Sequence, residues 1–145
     1  MKLEHYFRLI TMSIFQNSVT YDKKGFSGDR MSYSNQMFYC PKIHCKDGFN
    51  VSLQIHNGNY CSSENGYREM GVDWQEVEFG FPSINDKDMW EYSEMYDSDS
   101  SDFDVTNTVG RIPLKVIQNI CDSHGGIDWD VTLSKDSATS FLKNR

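Results

Sequence analysis

Apolar and polar residues alternate without interruption between positions 49 and 56 of the chain. The apolar positions are Phe49, Val51, Leu53 and Ile55, and polar residues fill the other four. A period of two residues is typical of a strand with one buried face. The turn sequence Lys-Asp-Gly at 46–48 precedes this strand, so residues 39–45 are predicted to form its hairpin partner.

The same alternation returns over residues 73–81. The apolar positions there are Val77, Phe79 and Phe81, and the polar face holds Glu76, Glu78 and Gly80. The pattern predicts a second half-buried strand, with Phe81 on its buried face. The intervening residues 60–70 are mostly polar and are predicted to form a loop, and a further strand is expected near residues 104–111.

Three other stretches show the spacing of amphipathic helices. In residues 1–16 one stripe is formed by Leu3, Phe7, Ile10 and Ile14. Ser83 and Asp86 form a capping-box pair that predicts a helix after Pro82. A third helix is predicted with Pro113 in its first turn, Gly125 as its C-cap, and an apolar stripe of Ile112, Val116, Ile117, Ile120 and Cys121.

This order of strands and helices favours an α+β fold, with a mainly antiparallel sheet and two or three helices packed on it. Residues 1–38, the first helix and a polar linker, are predicted to be an N-terminal helical extension. Residues 39–145 are predicted to form a single ligand-binding domain, and its tail from 128 onward is expected to contain a strand and a frayed end.

The net charge of −7 argues against direct binding to nucleic acid, which requires clustered lysines and arginines. It is compatible with an acidic surface that mimics nucleic acid and blocks a basic partner. The sequence shows neither an apolar run of membrane-spanning length nor a signal peptide. We therefore expect a cytoplasmic location and no association with a membrane.

The four cysteines, Cys40, Cys45, Cys61 and Cys121, are expected to be free thiols in a cytoplasmic protein. Cys40, Cys45 and Cys61, with His44, raise a zinc hypothesis, but their spacing is loose and burial in the core is favoured. The chain contains neither a nucleophile motif nor a phosphate-cradling loop. We therefore expect no catalysis, no metal and no cofactor.

Basic residues stand at the predicted start of the last helix. Helix N-termini attract phosphate through their exposed N–H groups, and Arg111 and Lys115 would add charge-assisted contacts. The turn before them, from Asn107 to Arg111, is therefore a candidate anion site. The alternative is that Arg111 pairs with a carboxylate of the acidic segment 97–104.

Four sequence blocks carry a family resemblance over roughly residues 39–127: YCPKIHCKDGFNVSLQ, YCSSENGYREM, VEFGFPS and TNTVGRIPLKVIQNICDSHGGI. The chain resembles the first type of phage anti-Thoeris proteins, which sequester cyclic ADP-ribose signals. The resemblance implies a protein of the host cytoplasm that binds the signal of a bacterial TIR-domain enzyme without cleaving it. It also implies a dimer or hexamer with nucleotide pockets near subunit contacts, and a separate site for other cyclic oligonucleotides in some members.

Carried over to this chain, the resemblance directs attention to Asn107, Thr108, Arg111 and Lys115 as ligand contacts. Tyr67 or Phe81 would stack on the base, and Arg68 would be a second phosphate partner. The chain departs from the family pattern in its first 38 residues, in the Val-Gly-Arg-Ile-Pro sequence at 109–113 and in the acidic segment 97–104. A rival hypothesis is an acidic inhibitor of a host defence nuclease, in which residues 86–104 mimic DNA and Asp97, Asp99, Asp102 and Asp104 carry the charge.

Overall fold

The computed structural model describes residues 1–17, 40–55, 59–84 and 108–134. The helices are α1 (Leu3–Asn17), α2 (Leu114–Ser123) and α3 (Trp129–Thr132). The strands are β1 (Ile43–His44), β2 (Asn50–Gln54), β3 (Ser62–Ser63), β4 (Gly66–Tyr67), β5 (Trp74–Gly80) and β6 (Thr108–Pro113). An antiparallel sheet with helices, one of them N-terminal, confirms the predicted α+β class.

Strand β5 organises the sheet because it pairs with three others. The order is β1-β2-β5-β3-β4, and β6 also pairs with β5. Every pairing is antiparallel. Strands β2 and β3 share one edge of β5, toward its two ends, and β6 follows the other edge. The residues of β5 that face away from the core therefore stand among side chains from several strands.

The alternation predicted for the two long strands is confirmed where they run straight. Val51 and Leu53 of β2 and Val77 and Phe79 of β5 are fully buried. Phe81 is the exception, and its predicted burial is wrong. It lies one residue beyond the end of β5, has a φ of 50° and is 49% exposed, because a left-handed residue interrupts the extended chain.

Residues 60–70 contain a small hairpin where the sequence predicted a loop. Ser62 pairs with Tyr67 and Ser63 with Gly66 across a two-residue turn. The Glu64 carboxylate accepts hydrogen bonds from the backbone N–H groups of residues 72 and 73, which fixes the turn. Two-residue strands are too short to show alternation, and the Asn-Gly pair at 65–66 was the available signal.

Helix α1 contributes to the same hydrophobic core as the sheet. Leu3, Tyr6, Phe7 and Ile10 are at most 1% exposed and cluster with the buried residues of β2, β5 and α2. Two hydrogen bonds fix the helix: Trp74 Nε1 donates to Thr11 Oγ1 at 2.9 Å, and Leu3 N donates to Gln118 Oε1 at 2.8 Å. The predicted stripe is thus buried at Leu3, Phe7 and Ile10, and the side chain of Ile14 lies outside the described part of the structure.

The last predicted helix begins one residue later than expected. Pro113 ends β6 and is the N-cap of α2, rather than part of its first turn. The apolar stripe is confirmed at Ile117, Ile120 and Cys121, all fully buried. His124 is the C-cap, and the chain leaves through Gly125 and Gly126 at φ values of 85° and 88°.

Some of the remaining predicted elements differ in the structure, and others lie outside the described residues. The predicted strand at 39–45 shortens to β1, and the expected strand after residue 128 is instead helix α3, capped by the Asp128 side chain. Ser83 is a bend residue whose Oγ accepts a hydrogen bond from Asn50 N at 2.9 Å. The helix expected beyond it, the linker and the acidic segment 97–104 lie outside the described residues.

Candidate functional site

The outer face of β5 carries two carboxylates, because Val77 and Phe79 point the other way into the core. Glu78 Oε1 accepts a hydrogen bond from Asn59 Nδ2 at 3.3 Å, and Glu78 Oε2 accepts one from Tyr60 N at 2.9 Å. These bonds hold the segment that precedes β3 over the outer face of the sheet.

Strand β6 contains a β-bulge opposite Glu78. Val77 pairs with Ile112 and Phe79 with Val109, so two residues of β6, Gly110 and Arg111, stand opposite one residue of β5. Arg111 has a φ of 59°, and its backbone N–H donates to Tyr60 O at 2.8 Å. The bulge therefore directs Arg111 to the outer face, next to the segment that Glu78 holds.

Two tyrosines and two arginines meet on this face, and together with Glu76 they form the Tyr–Arg patch: Tyr60, Tyr67, Arg68, Glu76 and Arg111. Arg111 Cζ lies 4.8 Å from the centroid of the Tyr67 ring, and Arg68 Cζ lies 5.6 Å from that of Tyr60. Tyr60 is 53% exposed and Tyr67 is 46% exposed. Cation–π pairs at exposed sites contribute about 0.5–1 kcal/mol each, so they orient the arginines more than they stabilise the fold.

Arg111 also pairs with a carboxylate of its neighbouring strand. Its Nε and Nη2 atoms both lie 3.2 Å from Glu76 Oε1, which in addition accepts a hydrogen bond from Ser62 Oγ at 2.8 Å. Among the described residues the ion-pair partner of Arg111 is therefore Glu76, and the acidic segment of the sequence alternative lies outside those residues. The Nη1 group takes no part in this contact with Glu76.

The backbone of this region is strained at defined positions. Among the described residues, the non-glycine residues with positive φ are Arg68, Phe81 and Arg111, at 56°, 50° and 59°. Such residues cost about 1–3 kcal/mol each and are enriched at binding sites, where the rest of the fold enforces them. All three belong to the ligand contacts suggested by the family resemblance, and two of them lie in the Tyr–Arg patch.

Phe81, another suggested contact, lies away from the patch. Phe81 follows Gly80, which pairs with Thr108 at the far end of the β5–β6 ladder. Gly80 is four positions after Glu76, and four steps along an extended strand correspond to roughly 13 Å. Asn107 lies outside the described residues, as does the side chain of Thr108.

Lys115 lines a cleft to which Arg111 does not contribute. This cleft of about 400 Å³ lies between the start of α1 and the start of α2, and its lining comprises Lys2, Glu4, Trp74, Gln75, Leu114, Lys115, Gln118 and Asn119. None of the Tyr–Arg patch residues belongs to that lining. From the sequence, Arg111 and Lys115 were expected to bind one anion together at the start of the helix. The bulge instead directs Arg111 to the outer face of the sheet.

Tyr60 and the role of Glu76 were not predicted from the sequence. In the sequence, Tyr60 is only one residue of a predicted loop, and Glu76 is only one residue of the polar face of a predicted strand. Gly110 is the position that allows Tyr60 to approach, because a Cβ atom there would lie 2.4 Å from Tyr60 Cβ. No sequence pattern links residue 60 to residue 110, since the contact depends on how distant segments pair.

Replacing Gly110 with alanine should displace Tyr60 and lower the free energy of unfolding by about 1–3 kcal/mol. The clashing atom is Tyr60 Cβ, which cannot move without the backbone. Urea denaturation measures the loss. The double variant Gly110→Ala/Tyr60→Gly lacks the Tyr60 Cβ atom that the new methyl group would meet, so it should be more stable than the sum of the single changes predicts. Strict additivity would show that the two residues do not touch.

A second polar cluster joins the β1–β2 turn to the end of α2. His124 Nδ1 lies 2.6 Å from Asp47 Oδ2, and the His124 ring stacks on Phe49 with centroids 4.1 Å apart. The backbone N–H of Phe49 and the His124 side chain lower the pKa of Asp47 below its ordinary value. A hydrogen bond with the Cys121 thiol lowers the pKa of Cys45, against the effect of its burial.

The Asp47 carboxylate should make stability depend on pH in the acidic range. Because its pKa in the folded chain lies below the ordinary 3.8, its contribution is present above 3.8 and is lost as the pH falls through the folded value. The difference in melting temperature between wild type and Asp47→Asn should therefore persist at neutral pH and shrink below 3.8. A difference that stays constant down to strongly acidic pH would contradict this assignment.

Comparisons with protein-family models, with curated proteins and with solved structures found no match. None of the described helices is long and apolar enough to cross a membrane. Within the described ranges, no group of three or more histidine, cysteine, aspartate or glutamate residues is arranged to hold a metal ion. The candidate site is consequently identified from the contacts within this structure alone, and we take the Tyr–Arg patch as that site.

Proposed function

We propose that this protein binds a cyclic ADP-ribose isomer at the Tyr–Arg patch, holds it without cleaving it, and so withholds the signal from Thoeris-type host immunity. The observation that carries the proposal is the pair of exposed tyrosine rings, each beside an arginine that the backbone holds in a left-handed conformation. Such preorganisation lowers the entropic cost of binding a ligand.

The chemical groups of the patch complement those of the proposed ligand. A cyclic ADP-ribose isomer contains an adenine ring, a pyrophosphate and two riboses. A tyrosine ring can stack on the base, a contact worth about 1–3 kcal/mol for single bases on aromatic side chains. A guanidinium donates paired hydrogen bonds to phosphate oxygens, and the Nη1 group of Arg111 is not used by its contact with Glu76. The Glu76 carboxylate adds an acceptor for ribose hydroxyls.

The charge distribution favours a small anion over a polymer. The chain carries a net charge of −7, and the two arginines of the patch stand beside the carboxylate of Glu76. A pyrophosphate engages only a few donors, whereas a nucleic acid would extend its phosphates over an acidic surface and be repelled. This balance supports a nucleotide ligand and argues against direct binding to nucleic acid.

The carboxylate bonding supports binding rather than turnover. Both oxygens of Glu78 accept hydrogen bonds from the segment at residues 59–60, and Glu76 Oε1 is shared between Ser62 and Arg111. A general base must accept a proton from the reacting group, and carboxylates engaged in this way are poorly placed to do so. We therefore propose a non-enzymatic protein that acts by affinity.

The proposal includes a dimer or hexamer in the host cytoplasm, with the nucleotide near a contact between subunits. Phe81 and Ile84 are 49% and 52% exposed, and they follow β5 on the same stretch of chain. Their exposure is compatible with a contact surface between subunits. Sedimentation with and without ligand measures the subunit count, and a monomer under both conditions would exclude this part of the proposal.

Mass spectrometry of released small molecules tests the function directly. The protein is incubated with lysate of cells that produce the signal, washed and then denatured by heat. The expected result is an intact cyclic ADP-ribose isomer in the released fraction. A cleaved product would exclude the non-enzymatic mechanism, and a released fraction without nucleotide would exclude binding.

Thermal denaturation gives the second measurement. A ligand that binds only the folded chain stabilises it by about 2.7 kcal/mol when present at 100 times its Kd. The melting temperature should therefore rise with a purified cyclic ADP-ribose isomer and stay unchanged with linear ADP-ribose at the same concentration. Equal shifts with both compounds would indicate a general pyrophosphate site instead of a signal-specific one.

A further inference from the structure

The four cysteines are buried and form no disulfide, and two of them meet at one place in the fold. Cys45 precedes the β1–β2 turn and forms a bridge with Ile127. Lys46 N donates to Gly126 O at 3.0 Å, which ties that turn to the end of α2. These contacts bring the Cys45 thiol into hydrogen-bonding contact with the Cys121 thiol in the last turn of α2.

We propose that Cys45 and Cys121 form an oxidisable dithiol, which closes to a disulfide when the protein meets a hydroperoxide. The proposal is independent of nucleotide binding, because the pair lies in the core beside α2 and the Tyr–Arg patch lies on the outer face of the sheet. It assigns a modification site to residues that the proposed function does not use.

Cys45 is the thiol that should react first. The thiolate is the reactive form, and the hydrogen bond with Cys121 together with nearby His124 lowers the pKa of Cys45. Cys45 also adjoins the exposed turn at residues 46–48 and is 4% exposed, while Cys121 is fully buried. A hydroperoxide is small enough to reach a thiol that lies this close to an exposed turn.

Cys40 provides the internal contrast. Burial raises the pKa of its thiol to about 12, and the charge of nearby Cys61 would raise it further. Cys40 therefore stays protonated at neutral pH and is a poor nucleophile. The same protein thus contains a cysteine whose pKa is lowered and one whose pKa is raised, which allows selectivity to be tested within one sample.

The chemistry balances with hydrogen peroxide as the oxidant. The Cys45 thiolate attacks one peroxide oxygen, the O–O bond breaks, and the departing hydroxide takes a proton to become water. The resulting Cys45 sulfenic acid is then attacked by the Cys121 sulfur, which forms the S–S bond and expels the hydroxyl group. That hydroxyl takes the Cys121 proton, so two thiols and one peroxide give one disulfide and two waters.

Closure should stabilise the folded chain. The disulfide would join residue 45 to residue 121 and close a long loop that contains β2 to β6. Cross-links across long loops restrict the unfolded chain most strongly, so the melting temperature of the oxidised protein should exceed that of the reduced protein. Addition of a dithiol reductant should return the melting temperature to its starting value.

The test oxidises the purified full-length chain with hydrogen peroxide and maps its cysteines by mass spectrometry. The expected product has lost two hydrogen atoms, contains a peptide pair linked through Cys45 and Cys121, and retains free thiols at Cys40 and Cys61. Four intact thiols after oxidation, or a link between Cys40 and Cys61, would overturn the proposal. So would sulfinic acid at Cys45 without any cross-link, since it would show that Cys121 cannot reach the intermediate.

Single variants separate the two steps. Cys121→Ser removes the second thiol but keeps a hydroxyl that can hydrogen-bond the Cys45 thiol, so the sulfenic acid at Cys45 should persist and be captured by dimedone. Cys121→Ala also removes that hydrogen bond, so Cys45 should be oxidised more slowly in it than in Cys121→Ser. Cys40→Ala is the matched control and should form the disulfide as the wild type does. Dimedone capture at Cys40 or Cys61 in place of Cys45 would contradict the proposed order of attack.

Discussion

Replacing Phe7 with alanine should lower the free energy of unfolding by about 3–5 kcal/mol, the usual cost of removing a buried aromatic ring. The Phe7 side chain is 0% exposed and belongs to the core cluster that includes the buried residues of β2, β5 and α2. Its ring contacts that of Tyr6 with centroids 5.1 Å apart. Removal of the ring therefore opens a cavity between the N-terminal helix and the sheet.

The loss should affect the whole fold rather than the helix alone. A helix of 15 residues is marginal in water without tertiary contacts, and α1 covers core residues of the sheet that would otherwise face solvent. Urea denaturation followed by far-ultraviolet circular dichroism and by tryptophan fluorescence should give one common transition at a lower midpoint. Trp74 is a suitable probe, because its indole N–H bonds Thr11 on α1.

Met12→Ala is the matched control for this experiment. Met12 lies on the same helix but is 42% exposed, so its replacement should change the free energy of unfolding by less than about 0.5 kcal/mol. Two separate transitions in the Phe7→Ala protein, or a loss as small as that of the control, would show that α1 folds apart from the sheet.

The position of α1 illustrates what sequence periodicity can and cannot provide. The apolar stripe identified Leu3, Phe7 and Ile10 as the buried face, and the structure confirms that burial. Periodicity does not identify the partner of that face. The contacts from Trp74 and Gln118 come from residues more than sixty positions away, and only tertiary folding brings them to the helix.

In the strands, too, periodicity predicts the buried face but not every local feature of the backbone. Alternation in β2 and β5 predicted the buried face correctly until the chain left the extended conformation, and at Phe81 a single left-handed residue made the prediction wrong. The hairpin β3–β4 is too short for any period to appear. Its existence depends on pairing with β5 and on the Glu64 carboxylate, neither of which leaves a periodic trace.

The candidate site was predictable as a set of residue types but not as an arrangement. Arg111, Arg68 and Tyr67 were singled out from sequence, and they do lie together. The reason given for Arg111 was the start of a helix shared with Lys115. The structure instead places Arg111 in a β-bulge, and a bulge depends on the register between two strands, which the sequence of one strand does not specify.

Arg111→Ala should weaken binding of a cyclic ADP-ribose isomer by about 1.5–3 kcal/mol, or roughly 10- to 150-fold in Kd. The guanidinium lies 4.8 Å from the centroid of the Tyr67 ring, where the proposed base and pyrophosphate would lie. Its loss also leaves the Glu76 carboxylate without its partner, which adds repulsion toward the phosphates. Isothermal titration calorimetry measures the change, and an unaltered melting temperature of the free protein would exclude a general loss of fold.

Two further variants decide which feature of Arg111 matters and where the ligand lies. Arg111→Lys keeps the charge but loses the planar fork, so its affinity should fall between those of wild type and Arg111→Ala. Lys115→Ala should bind as the wild type does, because Lys115 lines the separate cleft between α1 and α2. If Lys115→Ala weakens binding while Arg111→Ala does not, the nucleotide occupies that cleft. The Tyr–Arg patch would then require a different ligand, since its strained arginines would remain without a role.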